Sequence, residues 1–198
     1  MRRTGMAGAG LAAAAVAATA LLAAQSPAAP AVTDAAARFT LTSTDISAGG
    51  QIAESQVFNG FGCKGGNVSP ALSWSNPPPG ARSFALLMHD PDAPTGSGWW
   101  HWVLYNIPAS VSSLPAGAGD PHKSLLPAGA VQGRTDFGTP GYGGPCPPPG
   151  KPHRYYLRLY ALKVTRLDVP ADATAAYIGF TVRSQSLGKA ELMGVYGR

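Results

Sequence analysis

Charge is scarce in this chain: Lys, Arg, Asp and Glu make up 13% of its 198 residues, and no block of basic residues occurs anywhere. Phosphate backbones are gripped by clustered Lys and Arg, so nucleic acid is not an expected partner. The formal charge of +5 falls to +3 once Arg2 and Arg3 are set aside with a leader. No internal repeat shows at any period, which excludes solenoids and propellers. The chain also has no G-x-S-x-G, no H-E-x-x-H and no C-x-x-C. A nucleophile-elbow hydrolase, a zinc protease and a dithiol oxidoreductase therefore lack their signatures.

An apolar, uncharged run stands near the start of the sequence. Arg2 and Arg3 precede Gly8 to Ala24, dominated by Ala, Leu and Val, and small residues from Ser26 to Ala31 offer cleavage sites of the A-x-A kind. This is the pattern of a signal peptide over residues 1–31, followed by a linker over 32–37 and one domain over 38–198. A membrane anchor is the competing reading, but the run falls short of the roughly 20 strongly apolar residues a span needs. Thr4-Gly5-Met6 fits twin-arginine export poorly, so the route is left open.

Cys63 and Cys146 are the only cysteines. In an oxidising exported setting an even pair is expected to join, and closing so long a loop would stabilise by roughly 4 to 5 kcal/mol on a chain-entropy argument. Two separate buried thiols are the bland alternative. The 25 glycines and 19 prolines fall in short clusters between apolar segments, the punctuation of a loop-rich, mostly β protein. Strands are expected at Phe39–Ser43, Ser83–His89, His101–Ile107 and Tyr155–Leu162. One late helix is expected over Ala173–Leu187, capped by Asp172 and stopped by Gly188, with a short closing strand over 190–196.

Two islands concentrate the chemistry. His89 to Trp102 holds two acids, two imidazoles and three indoles, and Tyr142 to Tyr156 places His153 on a Pro- and Gly-rich loop before a strand. Pro91 and Pro94 fix φ and remove donors, so Asp90 and Asp92 are expected in a stiff turn with aimed carboxylates. Trp99, Trp100 and Trp102 cannot all face inward on one strand, so one or two are core. His101 alone reads as a packing residue, and two imidazoles meeting across one pocket would instead grip a small anion. His89 is read as structural and His122 as exposed. Arg134 and Asp136 read as a structural pair near the pocket.

These islands, with Phe61-Gly62-Cys63, Gly66 to Trp74 and Arg134-Thr135-Asp136-Phe137-Gly138, resemble the phosphatidylethanolamine-binding protein family, in particular its bacterial Raf-kinase-inhibitor-like branch. The likeness runs from about Phe39 to Tyr196. It implies a large antiparallel sheet packed on a smaller one, with the pocket at one end, and a cis bond at Ala93-Pro94. It further implies Asp90, His101 and His153 as polar ligand contacts, Tyr155 as an aromatic wall and Asp92 as part of the motif turn. Gly143 to Pro147, including Gly144 and Cys146, would line the mouth with backbone. Cys146 stands where many members have glycine and Pro149 where lysine is common, so the rim is expected to be tighter and less basic.

The function expected is an exported, extracellular or periplasmic, non-catalytic binding protein for phosphate or phosphorylated headgroup-type anions, with no cofactor, no bound metal and no membrane insertion after leader removal. It could also modulate an unidentified protein partner. If imidazolium donates to the ligand, affinity should fall above about pH 6.5. An inhibitor of a protease or other enzyme acting by protein contact is one alternative. The other is a metal-dependent phosphoester hydrolase using Asp90, Asp92, His101 and His153.

Overall fold

A computed structural model describes residues 38–198, so the expected signal peptide over 1–31 and the linker over 32–37 lie outside the described residues. The elements run β1 (Thr40–Thr42), β2 (Leu72–Ser75), β3 (Ser83–Asp90), β4 (Trp99–Pro108), β5 (Ser113–Leu114), β6 (Val131–Gln132), β7 (His153–Leu162), α1 (Ala175–Ser184) and β8 (Ser186–Tyr196). They form a three-stranded sheet, β1-β2-β5, and a five-stranded sheet, β6-β4-β3-β7-β8, with antiparallel pairing throughout both. The mostly β, two-sheet expectation with a late helix holds.

The apolar run of β3 is buried on both faces because β3 lies centrally and both faces are covered. Leu86, Met88, Trp102, Leu104, Leu157 and Leu159 pack toward Leu41, Leu72 and Trp74 of the smaller sheet. Ala85, Leu87, Val103, Tyr105, Tyr160 and Leu162 face the other way, under Ala175, Ile178 and Val182 of α1. Each such large side chain removed from water contributes about 2 to 3 kcal/mol. Continuous hydrophobicity in β3 thus reflects two cores, one on each side.

The helix is shorter than expected. Thr174, not Asp172, caps it, its hydroxyl accepting from the Tyr177 N–H at 3.2 Å. Asp172 instead lies in a turn closed by the Ala173 N–H on the Pro170 carbonyl at 3.0 Å. Gly188 does not stop the helix. It sits inside β8, because Ser186 already pairs with Leu162 and the ladder then runs to His153 opposite Tyr196. The closing strand is accordingly eleven residues long.

Candidate functional site

Three adjacent strands bring their ends together at one end of the larger sheet. Asp90 closes β3, His153 opens β7 and His101 lies near the start of β4. Asp90 is therefore the last strand residue and not part of the turn itself. In the β3–β7 register His89 faces Tyr156, so one further step sets Asp90 beside Tyr155. Residues two apart on a strand share a face, which puts His153 on the same side as Tyr155.

His101 reaches that side by an irregularity. Met88 pairs with Trp102 and His89 with Trp100, so β4 spends one more residue than β3 and His101 is the extra one. Such a bulge re-aims a side chain. It lets Trp102 enter the core between the sheets while Trp100 turns to the opposite face, its ring 4.3 Å from that of His89. Trp99 stands in the wall of the cavity.

The cavity measures about 140 Å³ and is lined by Asp90, His101, His153, Tyr155 and Cys146, all anticipated, together with Phe61, Pro94, Thr95, Trp99, Phe137, Pro147 and Pro148. Asp90 Oδ2 accepts from His153 Nδ1 at 2.8 Å. Asp90 Oδ1 accepts from the backbone N–H groups of Asp92 and Ala93, at 2.8 and 3.1 Å. One carboxylate thus orients an imidazole and closes the Asp-Pro-Asp-Ala-Pro turn. That turn holds with every described peptide bond trans, Ala93-Pro94 included, correcting the cis bond the resemblance implied. The Thr95 N–H on the Ala93 carbonyl at 2.8 Å completes it without a cis bond.

His101 Nδ1 lies 2.7 Å from the Gly143 carbonyl, which can only accept, so Nδ1 carries the proton. Complete burial pushes this imidazole down to about 4, against the opposing pull of the Gly143 carbonyl and Asp90. At neutral pH the ring is uncharged and its Nε2 offers a lone pair. The expected imidazolium donor at pH 6.5 is therefore not His101. Burial drives the Tyr155 phenol upward, and the neighbouring Asp90 carboxylate adds to this by its charge and its attraction for the phenol proton, although no hydrogen bond of good geometry joins the two. The cavity offers two imidazole Nε2 atoms without partners among the described residues and one unpartnered phenol.

Two of the anticipated residues stand elsewhere. Asp92 does not line the cavity: its carboxylate takes a bidentate grip from Arg154, at 2.8 and 2.7 Å, and the guanidinium holds it down at about 2. Gly144 does not line it either. Its Cα is packed so closely on the backbone of Gln56 to Phe58 that a Cβ would collide there, and its N–H donates to Asn67 Oδ1 at 2.8 Å. Gly143 is similarly pressed on the Phe137 ring, and the Gly143 N–H donates to the His101 carbonyl at 2.9 Å. The two glycines are needed for close approach and not for contact with a ligand.

Cys63 and Cys146 are joined, with their Cα atoms 6.0 Å apart. The bridge ties the Phe61 loop to the Cys146 loop across the cavity mouth, and Arg198 reinforces it by donating to the Pro147 carbonyl at 2.6 Å and to that of Phe61 at 3.4 Å. Phe61, Trp99 and Phe137 form an aromatic rim with ring centroids 5.4 to 6.4 Å apart. These rim residues were missed as wall residues, although Phe61 and Phe137 fall within the motif islands and Trp99 within the densest one. Arg134 and Asp136 make no ion pair among the described residues, because Asp136 is engaged with Trp100, accepting from its N–H at 2.8 Å. His122 is exposed, and His89 contacts the Ser97 carbonyl at 3.0 Å, holding the 91–98 loop. Among the described residues no three of His, Cys, Asp and Glu converge as metal ligands.

Two antiparallel sheets with a small recess where the strand ends of the larger one converge define a β domain of binding-protein type. A family model described as phosphatidylethanolamine-binding protein matches residues 42–197, and the chain belongs to that family. It is 51% identical over 162 residues to the UPF0098 protein YbcL of Escherichia coli K12, covering 81% of this chain and 88% of that one. To YbhB of the same organism it is 45% identical over 156 residues, covering 79% and 98%. The crystal structure of E. coli YbcL, described as a member of the mammalian PEBP family, superposes with a TM-score of 0.80 at 50% identity, covering 82% of this chain and 99% of that one. A phosphatidylethanolamine-binding protein homologue from Chlamydia trachomatis gives 0.67 at 35% identity, covering 81% and 97%.

Proposed function

We propose that this protein is an exported, non-catalytic binding protein whose cavity takes a phosphate or a phosphorylated headgroup-type anion in a form that still carries a hydrogen. The reading rests on the Asp90–His153 pair at 2.8 Å set against a neutral His101 in one recess of about 140 Å³. A neutral Nε2 is an acceptor, and no Lys or Arg lines the recess. A fully ionised oxyanion would meet that lone pair and the Asp90 charge. A phosphate hydroxyl, or the ammonium of phosphoethanolamine, gives them a donor, while the Tyr155 hydroxyl donates to a phosphate oxygen. The volume suits a headgroup and not an acyl chain.

Export is supported by the uncharged run that follows Arg2-Arg3 and by the Cys63–Cys146 bridge, which persists in oxidising compartments. An extracellular or periplasmic site of action follows. A protein partner at the same mouth is a second reading, favoured by Phe61, which is 65% exposed beside the cavity at φ 53°. Titration of inorganic phosphate and phosphoethanolamine, followed through the imidazole resonances, tests the main reading. Perturbation of the His101 and His153 rings, abolished in His153→Ala, is the expected result. Unmoved imidazole signals at millimolar ligand would remove the proposal.

A further inference from the structure

Away from the cavity, on the α1 side of the larger sheet, apolar and cationic groups share one patch. Five large hydrophobic side chains are well exposed among the described residues, and three of them, Tyr177 at 49%, Phe180 at 73% and Leu187 at 42%, lie within one short stretch of chain. The core-facing stripe of α1 is already filled by Ala175, Ile178, Gly179 and Val182, so these aromatics are surplus to packing. Phe180 and Arg183 stand three residues apart and share one side of the helix. Beside them an open recess of about 540 Å³ is lined by Arg158, Arg183, Leu187 and Lys189.

The charge balance there is one-sided. Arg158 and Lys189 both lean on Glu191, at 2.7 and 3.3 Å, and Arg183 makes no ion pair among the described residues. The sequence repeats the pattern on a larger scale, since eight of its fifteen Lys and Arg residues but only three of its ten Asp and Glu residues lie beyond Gly150. The mild positive charge of the chain is thus gathered on the segment that builds β7, α1 and β8.

We propose that this patch docks the protein peripherally on an anionic phospholipid surface. Phe180 and Leu187 would enter the headgroup zone while Arg183 and Lys189 pair with lipid phosphates. Arg183 and Lys189 are long, exposed side chains, and they line the open recess beside Leu187. That arrangement suits a fluid charged interface, which demands no fixed partner geometry, better than a folded acidic protein. Because the cavity opens from the intersheet side and the patch lies on the α1 side, the two would act independently.

Co-sedimentation of the full chain with phosphatidylglycerol and with phosphatidylcholine vesicles at low salt tests this, the leader being common to every variant. The wild type is expected to bind the anionic vesicles at least tenfold more tightly, and 0.5 M salt to abolish the difference. Arg183→Glu and Phe180→Ser should each weaken anionic binding at least fivefold with an unchanged thermal midpoint. Leu125→Ser, which alters an exposed apolar residue elsewhere, should not. Equal binding to both lipids, or wild-type binding by both patch variants, would overturn the proposal. So would absent vesicle binding with Arg183→Glu-sensitive binding to polyglutamate, which would give the patch to an acidic protein instead.

Discussion

Acid should destabilise this fold through one imidazole. In the unfolded chain His101 titrates near 6.5, whereas burial in the folded protein brings it down to about 4. Between those values the unfolded chain binds a proton that the folded one refuses. The penalty is absent above pH 6.5, grows as pH falls and is complete below about 4. A fall from 6.5 to about 4, at about 1.4 kcal/mol per pH unit, comes to about 3 kcal/mol, with no discount for solvent because the ring is fully buried. The assay is urea unfolding of wild type and His101→Asn at pH 7, 5.5 and 4. Asparagine removes the titrating group but can keep a donor toward the Gly143 carbonyl. The wild type should lose about 3 kcal/mol more than the variant over that range. His89, also lowered by burial, is present in both proteins and cancels, and Asp92, held near 2 by Arg154, titrates below the window. Equal pH slopes in the two proteins would refute the neutral, buried His101 on which the ligand chemistry depends.

Other outcomes follow from the same geometry. Reduction of Cys63–Cys146, or replacement of both by serine, should lower stability by about 4 kcal/mol, since the bridge closes a separation of 83 residues; an unfolding midpoint indifferent to reductant would contradict this. Gly144→Ala should cost about 2 to 3 kcal/mol and lower the thermal midpoint by roughly 5 to 10 °C, because the added methyl meets the Gln56 carbonyl; a midpoint within a degree of wild type would show that the loop yields freely. Tyr155→Phe should leave the empty protein as stable or about 1 kcal/mol more so, because it deletes an unpartnered buried hydroxyl, and should weaken phosphoethanolamine binding about tenfold by calorimetry. Loss of stability with unchanged affinity would reverse that assignment.

How far the sequence disclosed all this differs from element to element. Largely apolar runs of strand-favouring residues, bounded by turn residues, sufficed for β3, β4 and β7. The helix boundary was misjudged because Asp172 and Thr174 are both capping residues and only the Ser186–Leu162 pairing decides where the chain must turn back. In the site, it was the family resemblance carried by the motif islands that implied Asp90, His101, His153 and Tyr155 as neighbours. Spacing alone could not, because a regular β4 would have turned His101 to the wrong face, and only the extra residue opposite Met88 and His89 corrects it. Asp92 belongs to the same motif as Asp90 but lies two residues past it, beyond the strand end, where the nearest cation is Arg154. Gly144 was credited with lining a mouth when its lack of a side chain serves the backbone beneath it.

The polarity of the recess is then a consequence of how its parts are held. Gly143 can press against Phe137 only because it lacks a Cβ, and that approach brings its carbonyl to His101 Nδ1. The carbonyl fixes the tautomer, burial keeps the ring neutral, and the lone pair left on Nε2 makes this side of the pocket an acceptor in place of the expected imidazolium. Asp90 orients the His153 ring through Nδ1 and is itself anchored by two backbone N–H groups. With two rings oriented in this way and no Lys or Arg in the wall, discrimination turns on the hydrogens the ligand brings. Affinity for a phosphate monoester that carries no ammonium, such as methyl phosphate, should accordingly fall as pH rises through about 6, where the ester loses its last proton. That midpoint would follow the ligand, and an analogue with a lower second pKa should shift it by the same amount, whereas control by a protein imidazole would leave it fixed.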